Sequence, residues 1–157
     1  MKITPINIAQ YHRAEHFQHY IKHECSISIT ADIDITVLWQ YVKSHHLRIY
    51  PMLLWVISKA VNAIPECKFT IDTNGDLAMY ERIDPAYVAW NSEKETIYCI
   101  STPYNEDYQL FYNNCIHDIE NNKKGVMFPQ GIIAANTFSV SASSELKFTS
   151  VTINVQK

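Results

Sequence analysis

The sequence predicts an α/β protein, a two-layer α+β sandwich in which helices cover a mixed, mostly antiparallel sheet. Three observations carry this. The apolar residues change period along the chain, from helical spacing to alternation and back. An Asn74-Gly75 pair separates two short apolar runs, Phe69–Ile71 and Leu77–Tyr80, the signature of a β-hairpin. Helical and strand patterns intermix from end to end without a linker, a repeat or a low-complexity stretch, so helices and sheet share one core.

Taken in order, residues 8–22 read as a first helix, with Asn7 as its N-cap. Cys25, Ile27, Ile29, Ala31 and Ile33 then alternate with polar neighbours, which reads as a half-buried strand. Thr36 is placed to cap a second helix, Val37 to about His45. Tyr50-Pro51 opens a third, because proline is tolerated in a first helical turn, and Pro65 closes the segment. Met52 to Ile57, Ala60 and Val61 make that helix apolar nearly all round, as expected of a central, buried element. Past the hairpin, Tyr87–Trp90 and Thr96–Ser101 read as strands. Asn105-Glu106-Asp107 gives an acidic, capped start to a helix in which Tyr108, Phe111, Tyr112, Cys115 and Ile119 recur at helical spacing. Lys123, Lys124 and Gly125 suit its end. After a turn at Phe128-Pro129-Gln130-Gly131 come two more strands, Thr137–Ala142 and Phe148–Val155.

Composition narrows the function classes. The chain has 157 residues, 47% of them hydrophobic, enough for one domain with a sizeable core and too many for general disorder. A net charge of −3 offers no basic surface, so nucleic acid is not expected as a partner. The longest apolar run, Met52–Ile57, is too short to span a bilayer, and no charged-then-apolar leader is present. The four cysteines form neither a CxxC pair nor a disulfide framework and read as reduced thiols, so a cytoplasmic protein without a membrane partner is expected. With three glycines and no GxGxxG, Walker or GxSxG motif, nucleotide binding through a glycine-rich loop is disfavoured. Ten tyrosines point to a pocket or interface, or equally to a core that uses tyrosine heavily.

Titratable groups concentrate in Tyr11–Tyr20, which holds His12, Arg13, Glu15, His16 and His19. The stretch fits a metal site, a ligand-pocket wall or an ordinary amphipathic helix. His12-Arg-Ala-Glu15-His16 matches HxxEH, the inverted-zincin pattern of a metallohydrolase, in which two histidines one helical turn apart bind zinc and the glutamate acts as base. His19 and His23 form a second such pair. HxxEH fixes only three residues and names no third ligand, so these histidines read as solvated surface groups and no metal is expected. His45-His46 reads as a cationic cap on a helix end. Ser139, Ser141, Ser143 and Ser144 crowd the end of a strand. They are either solvated or, at a pocket wall, a source of a hydroxyl donor to an oxyanion.

Eight blocks taken together resemble the trimeric, catalytic-histidine type of chloramphenicol acetyltransferase. Arg13-Ala-Glu15-His16-Phe17 is similar to the family's RxEHF block, and Ile33-Asp34-Ile35-Thr36 to its IDIT block. Tyr50-Pro51 with Ala60-Val61-Asn62 is similar to FYP…AVN. Ile83-Asp84-Pro85, Glu93 to Thr96, Phe128-Pro129-Gln130-Gly131, Ser141-Ala142 and Phe148-Thr149-Ser150 follow in the family's order. The resemblance runs from about residue 8 to the last.

It implies acetyl transfer from acetyl-CoA, as co-substrate, to a hydroxyl of chloramphenicol or a similar small molecule, which is an antibiotic-resistance activity, in a homotrimer. No bound cofactor is implied. By resemblance, Ser141 stabilises the oxyanion, and Arg13 pairs with an aspartate that organises the catalytic loop. The acceptor pocket would include Tyr20, Cys25, Ile27, Val88, Ile97, Tyr98, Cys99, Phe128 and Ser139. His19, Ile27, Val88, Ile97, Tyr98 and Ser139 depart from the side chains usual there, and Tyr98 in place of a small residue would reshape the pocket. The family's HHxxxDG motif, which carries the histidine base and the aspartate partner of the arginine, does not occur in these 157 residues. The expectation is therefore a single domain, 1–157, incomplete at its C-terminus and inactive alone, or else a non-catalytic small-molecule-binding or interaction module on the same scaffold.

Overall fold

The computed structural model describes residues 2–23 and 25–143. Within them, six strands form two three-stranded sheets beside four α-helices. In the first sheet, β3 (Leu77–Tyr80) pairs antiparallel with β1 (Ile3–Pro5) on one side and β2 (Phe69–Ile71) on the other. In the second, β4 (Asp84–Asn91) is central. It pairs antiparallel with β5 (Thr96–Ser101) and parallel with β6 (Thr137–Val140). This is the mixed α+β architecture that the change of period predicts.

The four helices are α1 (Ala14–Lys22), α2 (Thr36–Ser44), α3 (Ile49–Ala63) and α4 (Tyr108–Asn121). Asp107 caps α4, its Oδ1 accepting from the Gln109 and Leu110 amides at 2.8 and 3.3 Å, so the acidic start does what the sequence suggests. The hairpin forms as expected, but through a longer loop. Asp72 Oδ1 accepts from the amides of Asn74 and Asp76, and of the Asn74-Gly75 pair only Gly75 takes positive φ, at 86°.

The core lies between α3, α4 and the inner face of β4–β5. Leu54, Tyr87, Ala89, Tyr98, Ile100, Tyr104, Phe111 and Cys115 bury themselves there. Their positions follow from period. Tyr87 and Ala89 alternate inward on β4, Tyr98 and Ile100 on β5, and Phe111 and Cys115 stand one turn apart on α4.

Several elements differ from the sequence reading. Residues 8–22 break into a 3-10 turn, Ile8–Gln10, and α1. Asn7 caps the turn, through its Oδ1 to the Ala9 amide. Thr36 is the first helical residue of α2, and Asp34 accepts from its amide at 2.8 Å. Helix α3 buries one side only, Pro51, Met52, Leu54 and Ser58, and leaves Val56 and Ile57 exposed. The half-buried strand expected from Cys25 to Ile33 is absent. Alternation supplies an apolar face but no ladder, and the segment has no strand partner among the described residues, so Ile27 is 84% exposed. The expected strand Phe148–Val155 and Ser144 lie outside the described residues.

Candidate active site

The outer face of β4–β5–β6 gathers four of the residues assigned to the acceptor wall, Val88, Ile97, Cys99 and Ser139. Register sets its composition. Val88 lies opposite Cys99 and Trp90 opposite Ile97, while Ser139 of β6 is aligned with Ala86. These residues point away from the core by the period of two. Trp90 is 59% exposed and Ile97 is also open to solvent. A further strip runs along the side of β5 that has no strand partner among the described residues. The Cys99 amide donates to the Met127 carbonyl at 2.7 Å. The Gln130 side chain meets both backbone groups of Ser101, accepting from its amide at 2.8 Å and donating to its carbonyl at 3.2 Å. The strip includes Phe128, next to Met127 in the chain, with its ring exposed. Ser141 follows the last residue of β6 and is exposed.

Tyr98 stands apart from the other residues assigned to the acceptor wall. With Ile97 and Cys99 facing outward, the residue between them must face inward. Its ring is 1% exposed, and its hydroxyl donates to the Ile119 carbonyl of α4 at 2.6 Å. Trp90, absent from the sequence assignment, takes a place on the outer face. The alternation from Val88 was the signal for it.

Buried polar groups hold this sheet from beneath. Tyr50 of α3 donates to the Val88 carbonyl at 3.1 Å, and burial pushes its phenol up to about 12. Burial likewise pushes the Cys115 thiol up to about 11, which leaves it protonated and unsuited to nucleophilic work near neutrality. Asp84, at the start of β4, accepts from Arg82 Nε at 2.7 Å, the Tyr104 amide at 2.8 Å and Asn136 Nδ2 at 3.2 Å. It thereby ties β4 to the residue preceding β6. Asn62 of α3 brackets Ile83, accepting from its amide at 3.0 Å and donating to its carbonyl at 2.8 Å.

The remaining assigned residues belong to α1 and the stretch after it. Tyr20 is exposed and lines a depression of about 300 Å³ with Glu15, His16 and His19. Cys25 and Ile27 are exposed. Arg13 Nη1 lies 3.5 Å from Glu66 Oε1 in the 3-10 turn Pro65–Lys68, with both side chains about half exposed. The HxxEH reading loses its geometry, because α1 begins at Ala14 and His12 precedes it, edge-on to Tyr11 at 5.4 Å. Among the described residues no group of three or more His, Cys, Asp or Glu is arranged to hold a metal ion. His45 closes α2, with Nδ1 2.8 Å from the Tyr41 carbonyl and its ring stacked on Tyr41 at 4.1 Å. No helix among the described residues is long and apolar enough to cross a membrane.

Comparison with known proteins places the chain and its fold. The family described as "Chloramphenicol acetyltransferase" matches residues 1–157. The chain belongs to the chloramphenicol acetyltransferase family. A chloramphenicol acetyltransferase of Bacillus pumilus is 36% identical over 148 residues, covering 92% of this chain and 66% of that protein. One from Clostridium perfringens is 33% identical over 157 residues, covering 99% of this chain and 72% of its own length. A solved chloramphenicol acetyltransferase structure superposes with a TM-score of 0.87 at 24% identity, covering 99% of this chain and 76% of that one. The chain thus spans roughly two thirds to three quarters of the chloramphenicol acetyltransferases it matches. For this chloramphenicol acetyltransferase family member, the described residues provide an apolar wall with serine hydroxyls at its margin.

Proposed function

We propose that this chain is the acceptor-wall portion of a CoA-dependent O-acetyltransferase acting on chloramphenicol or a similar small hydroxyl compound. The observation that carries the reading is the outer face of β4–β5–β6, which presents Val88, Trp90, Ile97, Cys99 and Ser139, with Ser141 just past the end of β6. In the transfer, the acceptor hydroxyl adds to the thioester carbonyl and loses its proton to a base. The tetrahedral intermediate then collapses, breaking the C–S bond and releasing CoA thiol. An apolar wall desolvates and orients the acceptor. Ser141 donates to the oxyanion, a contribution of about 10²–10³-fold when one such donor is removed elsewhere. By the resemblance, Tyr20 of α1 and Cys25 and Ile27 after it belong to the same pocket, and Arg13, which faces Glu66 at 3.5 Å in this structure, would pair with a carboxylate of the catalytic loop instead. The assembly is a homo-oligomer, a trimer, as the resemblance implies.

The general base is the part these residues lack, because none of the seven histidines stands in an HHxxxDG motif. Transfer without its base falls by about 10²–10⁴-fold, so the 157-residue polypeptide binds without appreciable turnover. Purified protein mixed with acetyl-CoA and chloramphenicol should release no free thiol above background. Fusing a relative's HHxxxDG-bearing segment to residue 157 should restore release, and Ser141→Ala in that fusion should lower it again. Rapid thiol release by the unfused chain would overturn the inactivity. An active fusion indifferent to Ser141→Ala would remove the role given to Ser141.

A second reading, a binding module without catalysis, is favoured by the exposed apolar face together with the missing motif. Calorimetric titration of chloramphenicol into the chain tests it. No heat at any attainable concentration counts against it.

A further inference from the structure

Two imidazoles that the acceptor wall does not use stand together at the end of α1. His19 and His23 are four residues apart, which puts them one above the other on the helix surface. Their ring centroids are 4.6 Å apart and the planes are tilted by 53°. Both residues are exposed, and neither ring has a hydrogen-bond partner among the described residues. Two imidazoles bound through nitrogen to one ion at ~2.1 Å, in neighbouring positions, have centroids about 4.5–5 Å apart. The spacing in the protein already falls in that range, so an ion needs only ring rotation to be held.

No resident structural or catalytic metal fits here, since no third protein ligand is assembled among the described residues. A two-imidazole chelate completed by water is a separate class of site, open and exchangeable. Its donors select by softness: imidazole suits zinc, nickel and copper, whereas magnesium and calcium take oxygen.

We propose that His19 and His23 form a two-point chelate for a divalent transition-metal ion of the zinc, nickel or copper class. The ion ties the last turn of α1 to its C-cap residue, at the point where the exposed extended stretch from Cys25 leaves the helix. It thereby orders the helix end that carries Tyr20, whose ring lies edge-on to His19 at 5.4 Å.

The test is calorimetric titration of the untagged full chain with nickel chloride, and with magnesium chloride as a control. One nickel per chain is expected, with magnesium silent. His19→Gln and His23→Gln, both at exposed positions and harmless to folding, should each weaken nickel binding about tenfold or more. His117→Gln, on α4, should leave it unchanged. Paramagnetic broadening by nickel in an NMR spectrum locates the ion independently, and should centre on residues 19–23. Absence of nickel binding up to 1 mM, binding indifferent to both substitutions, or broadening centred on His45-His46 or His117 would each overturn the assignment.

Discussion

The Tyr87 phenol donates to the Thr102 hydroxyl across 2.7 Å, beneath the sheet that bears the candidate site. The direction follows from proton counting. Thr102 gives its one proton to Asp118 Oδ2 at 2.6 Å, so it accepts from Tyr87, which in turn accepts from Cys115 Sγ at 3.2 Å. Cys115, Tyr87, Thr102 and Asp118 thus form one directed chain joining β4, the end of β5 and α4.

Removing the middle of that chain should cost stability without moving the outer face. Tyr87→Phe is expected to destabilise by ~1–2 kcal/mol, since Thr102 loses its donor and Cys115 its acceptor. Thr102→Val should cost a similar amount, with the double variant costing less than the sum because both report one network. Urea unfolding of the four proteins measures this, and strict additivity would show that the contacts act separately.

Alkaline pH should weaken the fold. Cys115 and Tyr50 have folded-state pKa values raised by burial to about 11 and about 12. Both are neutral when protonated, so the unfolded chain releases these protons at lower pH than the folded one. Their contribution is fully present below about pH 9 and is lost as pH rises through 9–12, by up to ~3 kcal/mol for the thiol. Denaturant midpoints across that range should fall. Cys115→Ala should remove the part of the decline that begins nearest pH 9.

Asn62→Ala should cost ~2–3 kcal/mol, because the Ile83 amide and carbonyl lose the side-chain amide that brackets them. The measurement is the thermal midpoint. A change within error would mean that water replaces the amide at no cost.

Much of the fold was legible in local pattern. The β2–β3 hairpin, β5 and α4 follow from an Asn-Gly signal, alternation and an acidic cap, all of which act over a few residues. The stretch from Cys25 to Ile33 departs from its pattern for the opposite reason. Its alternation describes what it would bury, while strand formation depends on a distant partner. The candidate site divides in the same way. Val88, Ile97, Cys99 and Ser139 share one face because the β4–β5–β6 register sets them there. Tyr98 and Trp90 exchange places relative to the sequence assignment, although the period of two that separates them is visible in the residues themselves. Arg13 meets Glu66 through a long-range approach that no local pattern encodes.

The two faces of the sheet should respond to mutation in opposite ways. Tyr98→Ala opens the core and should cost about 3–5 kcal/mol, with little effect on ligand heat wherever the protein still folds. Trp90→Ala on the exposed face should change stability by less than about 0.5 kcal/mol yet weaken chloramphenicol binding. Paired unfolding and calorimetric titrations distinguish the two. Equal effects of both variants on binding would mean that inner and outer faces do not divide the work in this way.

The Gln130 amide has a consequence for how the molecule behaves in a crowd. By occupying the amide and carbonyl of Ser101, one side chain takes the place of a neighbouring strand, next to the bond from the Cys99 amide to Met127. Among the described residues this edge of β5 has no partner strand; an open β edge is a template for any extended chain that meets it, and a polar cover over it keeps the sheet from recruiting strangers. Loss of that amide would leave a molecule with the same core and the same wall, and a new tendency to polymerise through β5.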